Sequence, residues 1–327
     1  MWRLLQMAAS SWKHILKKNI DSFVAKHQKV EVVLSPDWDG ILSTVLLCHY
    51  MKTSHPSVPV VVTGTYDCKK IVTLGKQTNV REALFLDLDL PMDGVCHIGQ
   101  HLLGYIPLSN QLSFNPNAYF ENYETWTKYP FGTAQMMFYG LFEEKDFPPV
   151  AETLLAHADS SHANAKKYAP NCRNWIEKMY KGEPYMERLV NGTYFKEGLQ
   201  SHLDLIDFIE PHVSVKKKYV GKAAGWDRCR SRQTVKGKDE ISCIRNVETL
   251  LTFAAECLKV DAPKLAGDAA TAKCIWAGRR KMVTLGEANA CEGGMKAFLT
   301  KKKAKSHAIV SSRMLSMTMP PLEELEL

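Results

Sequence analysis

The chain has no CxxC pair, no GxGxxG turn and no GxxxxGK[ST] loop, so the dinucleotide-fold fingerprint and the P-loop are both missing. Nor does any apolar run approach the ~18 residues of a transmembrane helix. The most apolar opening stretch, MWRLLQMAASSWKHILKKNI, is interrupted by Lys13, His14, Lys17 and Lys18, which reads as an amphipathic helix rather than a signal core. The nine cysteines, at 48, 68, 96, 172, 229, 243, 257, 274 and 291, are odd in number and scattered. That spacing offers neither a zinc grouping nor a disulfide framework and points to reduced thiols in a cytoplasmic compartment. Asn191-Gly-Thr193 matches a glycosylation sequon that a cytoplasmic chain would not use. Internal repeats and low-complexity segments are also lacking.

What is present is an ordinary globular composition. The 327 residues are 45% hydrophobic, enough for a sizeable core and for two domains. A formal charge of +7 and a pI near 8.8 mildly favour a phosphate-bearing partner. The chain is organised around residues 31–48, EVVLSPDWDGILSTVLLC. Val32, Val33 and Leu34 form a strand, Ser35 and Pro36 stop it, and Gly40 opens a helix of roughly 40–53. Asp37 and Asp39 lie in the turn between. Ligands of open α/β sheets bind at the carboxyl ends of strands, and two carboxylates there are placed to hold a cation, whereas capping a helix needs only one.

A second strand over Val60 to Thr63 completes a parallel, right-handed βαβ unit. Residues 64–81 are more polar and suggest a helix across the sheet. ALFLDLDLP, 83–91, is a further strand ending in carboxylates, Asp87 and Asp89. A strand over 94–98 leaves Gly99, Gln100 and His101 at its end. After Asn115-Pro116-Asn117 comes an aromatic loop, 118–130, and then a helix capped by Thr133. The helix from Val150 to Ala158 leads into His157, Asp159 and His162. Residues 173–215 are helical and amphipathic. KKKYVGKAAGWDRCRSRQTVKGKDE interleaves Lys222, Arg228, Arg230 and Arg232 with Tyr219 and Trp226, a mixture suited to tracking and stacking on single-stranded nucleic acid. Residues 241–260 read as strand then helix. The stretch 274–315 reads as strand, turn, helix and strand around Gly293-Gly294, a pair that can let backbone amides approach phosphate.

In order, SPDWDG (35–40), FLDLDLP (85–91), IGQH (98–101) with Asn115-Pro116, and Asp159 resemble the four motifs of the DHH phosphoesterase superfamily, which includes RecJ-like nucleases, cyclic dinucleotide phosphodiesterases and pyrophosphatases. The resemblance covers roughly residues 28–165. It implies a parallel-sheet α/β domain (1–172), a helical connector (173–214) and a smaller, basic α/β substrate-binding domain (215–327). It further implies Mg²⁺ or Mn²⁺ held by Asp37, Asp39, Asp87 (with Asp89 as the second choice) and Asp159, with Asp39 and His101 in the catalytic machinery. Substrate contacts would come from His101, Gln100, Lys222, Trp226, Arg228, Arg230, Arg279, Arg280, Gly293 and Gly294. Two departures stand out. Ser35 replaces the family's first histidine, and Gly99-Gln100 replaces Asp-His of the DHH triplet, which leaves an oxygen-dominated donor set that favours hard cations. The implied activity is metal-dependent phosphodiester hydrolysis as a nuclease or exonuclease on single strands or short oligonucleotides. A small-nucleotide or cyclic-nucleotide phosphodiesterase and an inactive binding module are the alternatives. No membrane partner is expected, and a homo-oligomer or protein partner is left open.

Overall fold

The computed structural model describes residues 2–75, 81–90, 94–103, 111–122, 124–217, 230–304, 306–311 and 313–319. The first helix, α1 (Trp2–Val24), buries Trp12, Leu16, Ile20 and Phe23. β1 (Val30–Leu34) is a β-branched run, and α2 (Trp38–Ser54) follows after three residues. β2 (Val60–Tyr66) lies parallel to β1, as the sequence predicts. The polar stretch expected to be helical is instead β3 (Lys70–Thr73), antiparallel to β2. The reason is local. Asp67 Oδ1 accepts the Lys69 and Lys70 amides at 2.9 and 2.8 Å, closing a turn that sends the β-branched KIVT back along β2. β4 (Leu84–Leu86) and β5 (Cys96–Ile98) add on the other side of β1, both parallel.

Helices then accumulate over the sheet. These are α3 (Pro116–Tyr119), α4 (Thr133–Leu141), α5 (Val150–His157), α6 (Ser161–Lys167), α7 (Ala169–Met179), α8 (Pro184–Asn191) and α9 (Tyr194–Ile209). The short α3, capped by Asn115, falls where a loop was expected. A hairpin of β6 (Val213–Lys217) and β7 (Arg230–Val235) is followed by α10 (Glu240–Leu258). The strand expected at the start of this stretch is the first turn of α10, because Asp239 Oδ1 accepts the Ser242 amide at 2.8 Å and starts the helix there.

The expected domain limit at 215 does not part the main sheet. β8 (Lys264–Leu265) pairs with β2 and β9 (Lys273–Ala277) with β3, giving seven strands ordered β5-β4-β1-β2-β3-β9 with β8 beside β2. The buried face of α10, including Val247, Leu250, Leu251 and Ala254, belongs to the same core as α2. A second, smaller unit contains β10 (Arg279–Thr284), α11 (Leu285–Asn289), α12 (Gly294–Lys301), β11 (Ser306–Ser311) and β12 (Met314–Met319). Its antiparallel sheet, β10-β12-β11, has its own core of Val283, Phe298, Leu299, Leu315 and Met317, joined by Leu102. The Ile309 amide donates to Leu102 O at 2.9 Å and Thr318 Oγ1 to Cys68 O at 2.5 Å, which places this sheet against the carboxyl ends of β2, β4 and β5. No described helix is long and apolar enough to cross a membrane.

α2 starts so close to β1 that Gly40 admits no side chain, since a Cβ would fall on the Ser35 carbonyl. Gly40→Ala should therefore cost about 2–3 kcal/mol through backbone overpacking. Gly286→Ala, where the nearest atom is Thr284 Oγ1 at 3.9 Å, should be near neutral. Urea denaturation of both variants checks the contrast.

Candidate functional site

The cleft opens where β1, β2 and β4 end. Its described lining includes Asp37, Asp39, Asp67, Asp87, Asp89 and Asp159, with Arg280 as the one lysine or arginine among them. Backbone strain concentrates at the same place. Of seven described non-glycine residues with positive φ, Cys68, Asp87, Asp159 and Ser160 line the cleft. Such conformations cost of order 1–3 kcal/mol each and gather at functional sites.

Each carboxylate is held by a different device. Asp37 caps α2, its Oδ1 accepting the Gly40 amide at 3.0 Å, and its Oδ2 accepts Ser35 Oγ at 3.0 Å. The capping role is thus real, and Ser35 supports it. Asp39 lies in the first turn of α2 but reaches another helix. Its Oδ2 and Oδ1 accept the Thr133 and Ala134 amides at 2.8 and 2.7 Å, the exposed amides at the start of α4. Thr133 is therefore the first residue of α4 rather than its cap, which is Gly132. Thr133 Oγ1 donates to Asp87 Oδ1 at 2.8 Å, so one threonine ties the first two motifs together. Trp38, between the two aspartates, is buried and donates Nε1 to Leu154 O at 3.0 Å, locking the turn onto α5.

Crowding shows in the ionisation of these groups. Burial raises the Asp37 carboxyl above its ordinary value against the Gly40 and Ser35 hydrogen bonds. Burial and then the charges of Asp159 and Asp37 raise Asp39 to about 7, against the two α4 amides. Asp87 goes well above the carboxylate range through burial and then Asp39, Asp37 and Asp159. Like charges thus meet in one cleft, Asp37 and Asp159 acting on both Asp39 and Asp87. Asp89 behaves oppositely. Burial would raise it, but hydrogen bonds and charge from His101 and His97 hold it well below the ordinary range.

The remaining expected residues divide. His101 lines the cleft, and so does Arg280, whose Nε donates to Ser316 Oγ at 2.8 Å. Gln100 does not line the cleft. It is buried and donates Nε2 to Asp159 Oδ2 at 3.2 Å, so it steadies a carboxylate instead of meeting substrate. Arg279 alternates with Arg280 along β10 and is absent from the cleft lining. Gly293 and Gly294 start α12 with φ of 82° and 69° and are also absent from the lining, so the phosphate-loop expectation is not met there. Lys222, Trp226 and Arg228 lie outside the described residues, and Arg230 begins β7. The end of that strand is tied to the acidic turn. The Val235 amide donates to Pro36 O at 2.8 Å, and Thr234 lines the cleft.

Sequence reasoning missed His307, Ser316 and Thr318, which complete the wall beside Arg280. Ser316 and Thr318 alternate with Leu315, Met317 and Met319 in β12, a pattern shared with any two-faced strand. His157 lines the cleft too, but its Nε2 lies 2.6 Å from His202 Nδ1 in a buried trio with His162. Burial lowers His162 to about 4 and His202 to about 3, keeping both neutral.

Among the described residues no three His, Cys, Asp or Glu side chains stand ready to hold a metal ion, in keeping with carboxylates each turned to its own donor. The donor set still suits a hard divalent cation. Its oxygens are concentrated, their charges repel, and burial resists their ionisation unless a cation compensates it. Neither family models nor curated proteins give a match to this chain.

Asp39 binds its proton more tightly in the fold than at its ordinary 3.8, so the metal-free fold loses stability as pH rises through about 7. The histidine trio contributes little above pH ~6.5, where imidazole is largely neutral unfolded as well. Metal-free Tm should therefore fall between pH 6.5 and 8, and millimolar Mn²⁺ or Mg²⁺ should raise it more at pH 8 than at pH 6.5. Asp87→Asn, whose side chain tolerates the left-handed backbone, should raise the metal-free Tm at pH 8 and remove most of the metal-induced rise. Thermal scans with and without cation test both statements.

Proposed function

We propose that the chain is a metal-dependent phosphoesterase of the DHH-like type that hydrolyses short or terminal phosphodiesters of single-stranded oligonucleotides. The observation that carries this reading is the convergence of Asp37, Asp39, Asp87 and Asp159 opposite the guanidinium of Arg280. A cation-holding half and an anion-holding half in one cleft match a phosphoryl group that needs both. Asp37, Asp39, Asp87 and Asp159 would hold Mg²⁺ or Mn²⁺, and the ion when bound would neutralise phosphoryl oxygens and acidify water. Arg280, oriented through Nε by Ser316, would offer its terminal nitrogens to non-bridging oxygens. His101, which lines the same cleft, is placed to donate a proton to the departing oxygen. The cleft volume of about 190 Å³ is below the roughly 300–1,000 Å³ that takes drug-sized ligands, which favours one phosphate and its immediate neighbours. Thr234, near the end of β7, lines the cleft.

One observation favours the reading as a binding module. Both oxygens of Asp39 already accept α4 amides, an arrangement that serves the fold without any cation.

Purified protein with Mn²⁺ or Mg²⁺ should hydrolyse bis(4-nitrophenyl) phosphate and release mononucleotides from labelled two- to ten-residue single strands. Asp87→Asn should lower kcat by at least ~10³-fold, and Arg280→Ala should mainly raise KM, by about tenfold. Salt-sensitive strand binding without cleavage under any divalent cation would select the binding module.

A further inference from the structure

We propose that Asp89 is the positioning residue for His101: from beyond the end of β4 it holds the imidazole by Nδ1 and so presents Nε2 to the cleft. Asp89 Oδ2 accepts the His101 amide at 2.8 Å and lies 3.1 Å from His101 Nδ1. Asp89 Oδ1 accepts Asn115 Nδ2 at 2.7 Å, and His97 Nδ1 is 3.3 Å away. The orientation of Asn115 is not free, because its Oδ1 accepts the Asn117 and Ala118 amides at 2.8 and 3.3 Å. Its amide nitrogen must therefore face Asp89 as a donor. Every polar group converging on Asp89 is thus a donor or an imidazole nitrogen, and an ionised carboxylate can only accept. Nδ1 of His101 must carry hydrogen, and its Nε2 is left for chemistry.

Exposure separates the two roles. The Asp89 side chain is 1% exposed and that of His101 is 41% exposed, a buried anchor beneath a ring that lines the cleft. Two imidazoles are among the partners of Asp89, which sets it apart from Asp37, Asp39, Asp87 and Asp159, whose hydrogen bonds come from amides and hydroxyls. Gly99 takes a new meaning from the same geometry. A Cβ at 99 would fall on the Asp89 carboxylate, so a side chain at 99 and the Asp89 carboxylate exclude one another. The carboxylate that the motif comparison finds missing at 99 is delivered to that space from 89. A purely structural Asp89 would need only Asn115 and the His101 amide, whereas here it also holds a ring that lines the cleft.

The role of His101 in turnover rests on the phosphoesterase reading, but its tautomer does not. Long-range ¹H–¹⁵N correlation of the imidazoles, with His101 assigned through His101→Gln, should show the neutral wild-type ring protonated at Nδ1. Asp89→Asn should shift it towards a mixture, because an amide at 89 cannot accept from all of these donors. With Mn²⁺ and bis(4-nitrophenyl) phosphate, Asp89→Asn and His101→Gln should each lower kcat by on the order of 10²–10³-fold with KM within about threefold. The double variant should be no worse than the poorer single one. A wild-type ring protonated at Nε2, a tautomer unchanged in Asp89→Asn, or losses that multiply in the double variant would overturn the proposal. If Asp89→Asn fails to fold, the wild-type tautomer and Gly99→Ala, which displaces the carboxylate, decide it. Absence of turnover with the expected tautomer would count against the phosphoesterase reading alone.

Discussion

Asp39 is the constraint on which the rest of the structure depends. It sits in the first turn of α2, yet both its oxygens accept the opening amides of α4, so one carboxylate joins two helix N-termini separated by more than ninety residues of chain. Thr133, whose amide is one of those donors, passes the connection to Asp87 through its hydroxyl. Helix starts favour negative charge, and here that preference brings carboxylates from two strand ends within range of each other. The interaction that stabilises the fold locally also buries these carboxylates side by side, and burial, then their mutual charge, raises Asp39 and Asp87.

That pressure is tolerated because it is spread over unlike supports. Asp37 is stabilised by its own helix and by Ser35, Asp39 by a distant helix, and Asp159 by Gln100. Asp87 and Asp159 occupy left-handed backbone, so part of the arrangement is held by strain that the packed surroundings enforce. The small antiparallel sheet closes the other side. Thr318 fastens β12 to the turn after β2, and His307 Nε2 lies 2.8 Å from Leu103 O. These contacts bring Arg280 into the cleft that the aspartates line.

Much of the sheet was legible because its strands are short apolar runs punctuated by Pro, Gly and acidic residues. β1, β2, β4 and β5 fall where that punctuation puts them; Asp37, Asp39 and Asp87 meet because parallel strands present their carboxyl ends together, and Asp159 joins them from the turn after α5. The misreadings have physical causes. KIVT looked polar because its flanking turn is polar, although its own residues are β-branched. Residues 264–277 read as a separate domain because pairing with β2 and β3 leaves no trace in local composition. Gln100 read as a substrate contact, yet it is buried and donates to Asp159, because local sequence does not say which distant side chain a residue will meet.

By itself the sequence determined the parallel strands β1, β2, β4 and β5, the acidic strand ends and the absence of phosphate-loop fingerprints, since these follow from periodicity and local turn chemistry. Only the tertiary structure decided what each carboxylate does. Asp37 and Asp39 are one residue apart, yet one caps its own helix and the other caps a helix far along the chain. Asp87 and Asp89 are equally close, yet one faces like charges and the other faces donors. A carboxylate's role depends on its burial and its partners, and those partners come from elements that are remote in sequence and adjacent only once the chain has folded.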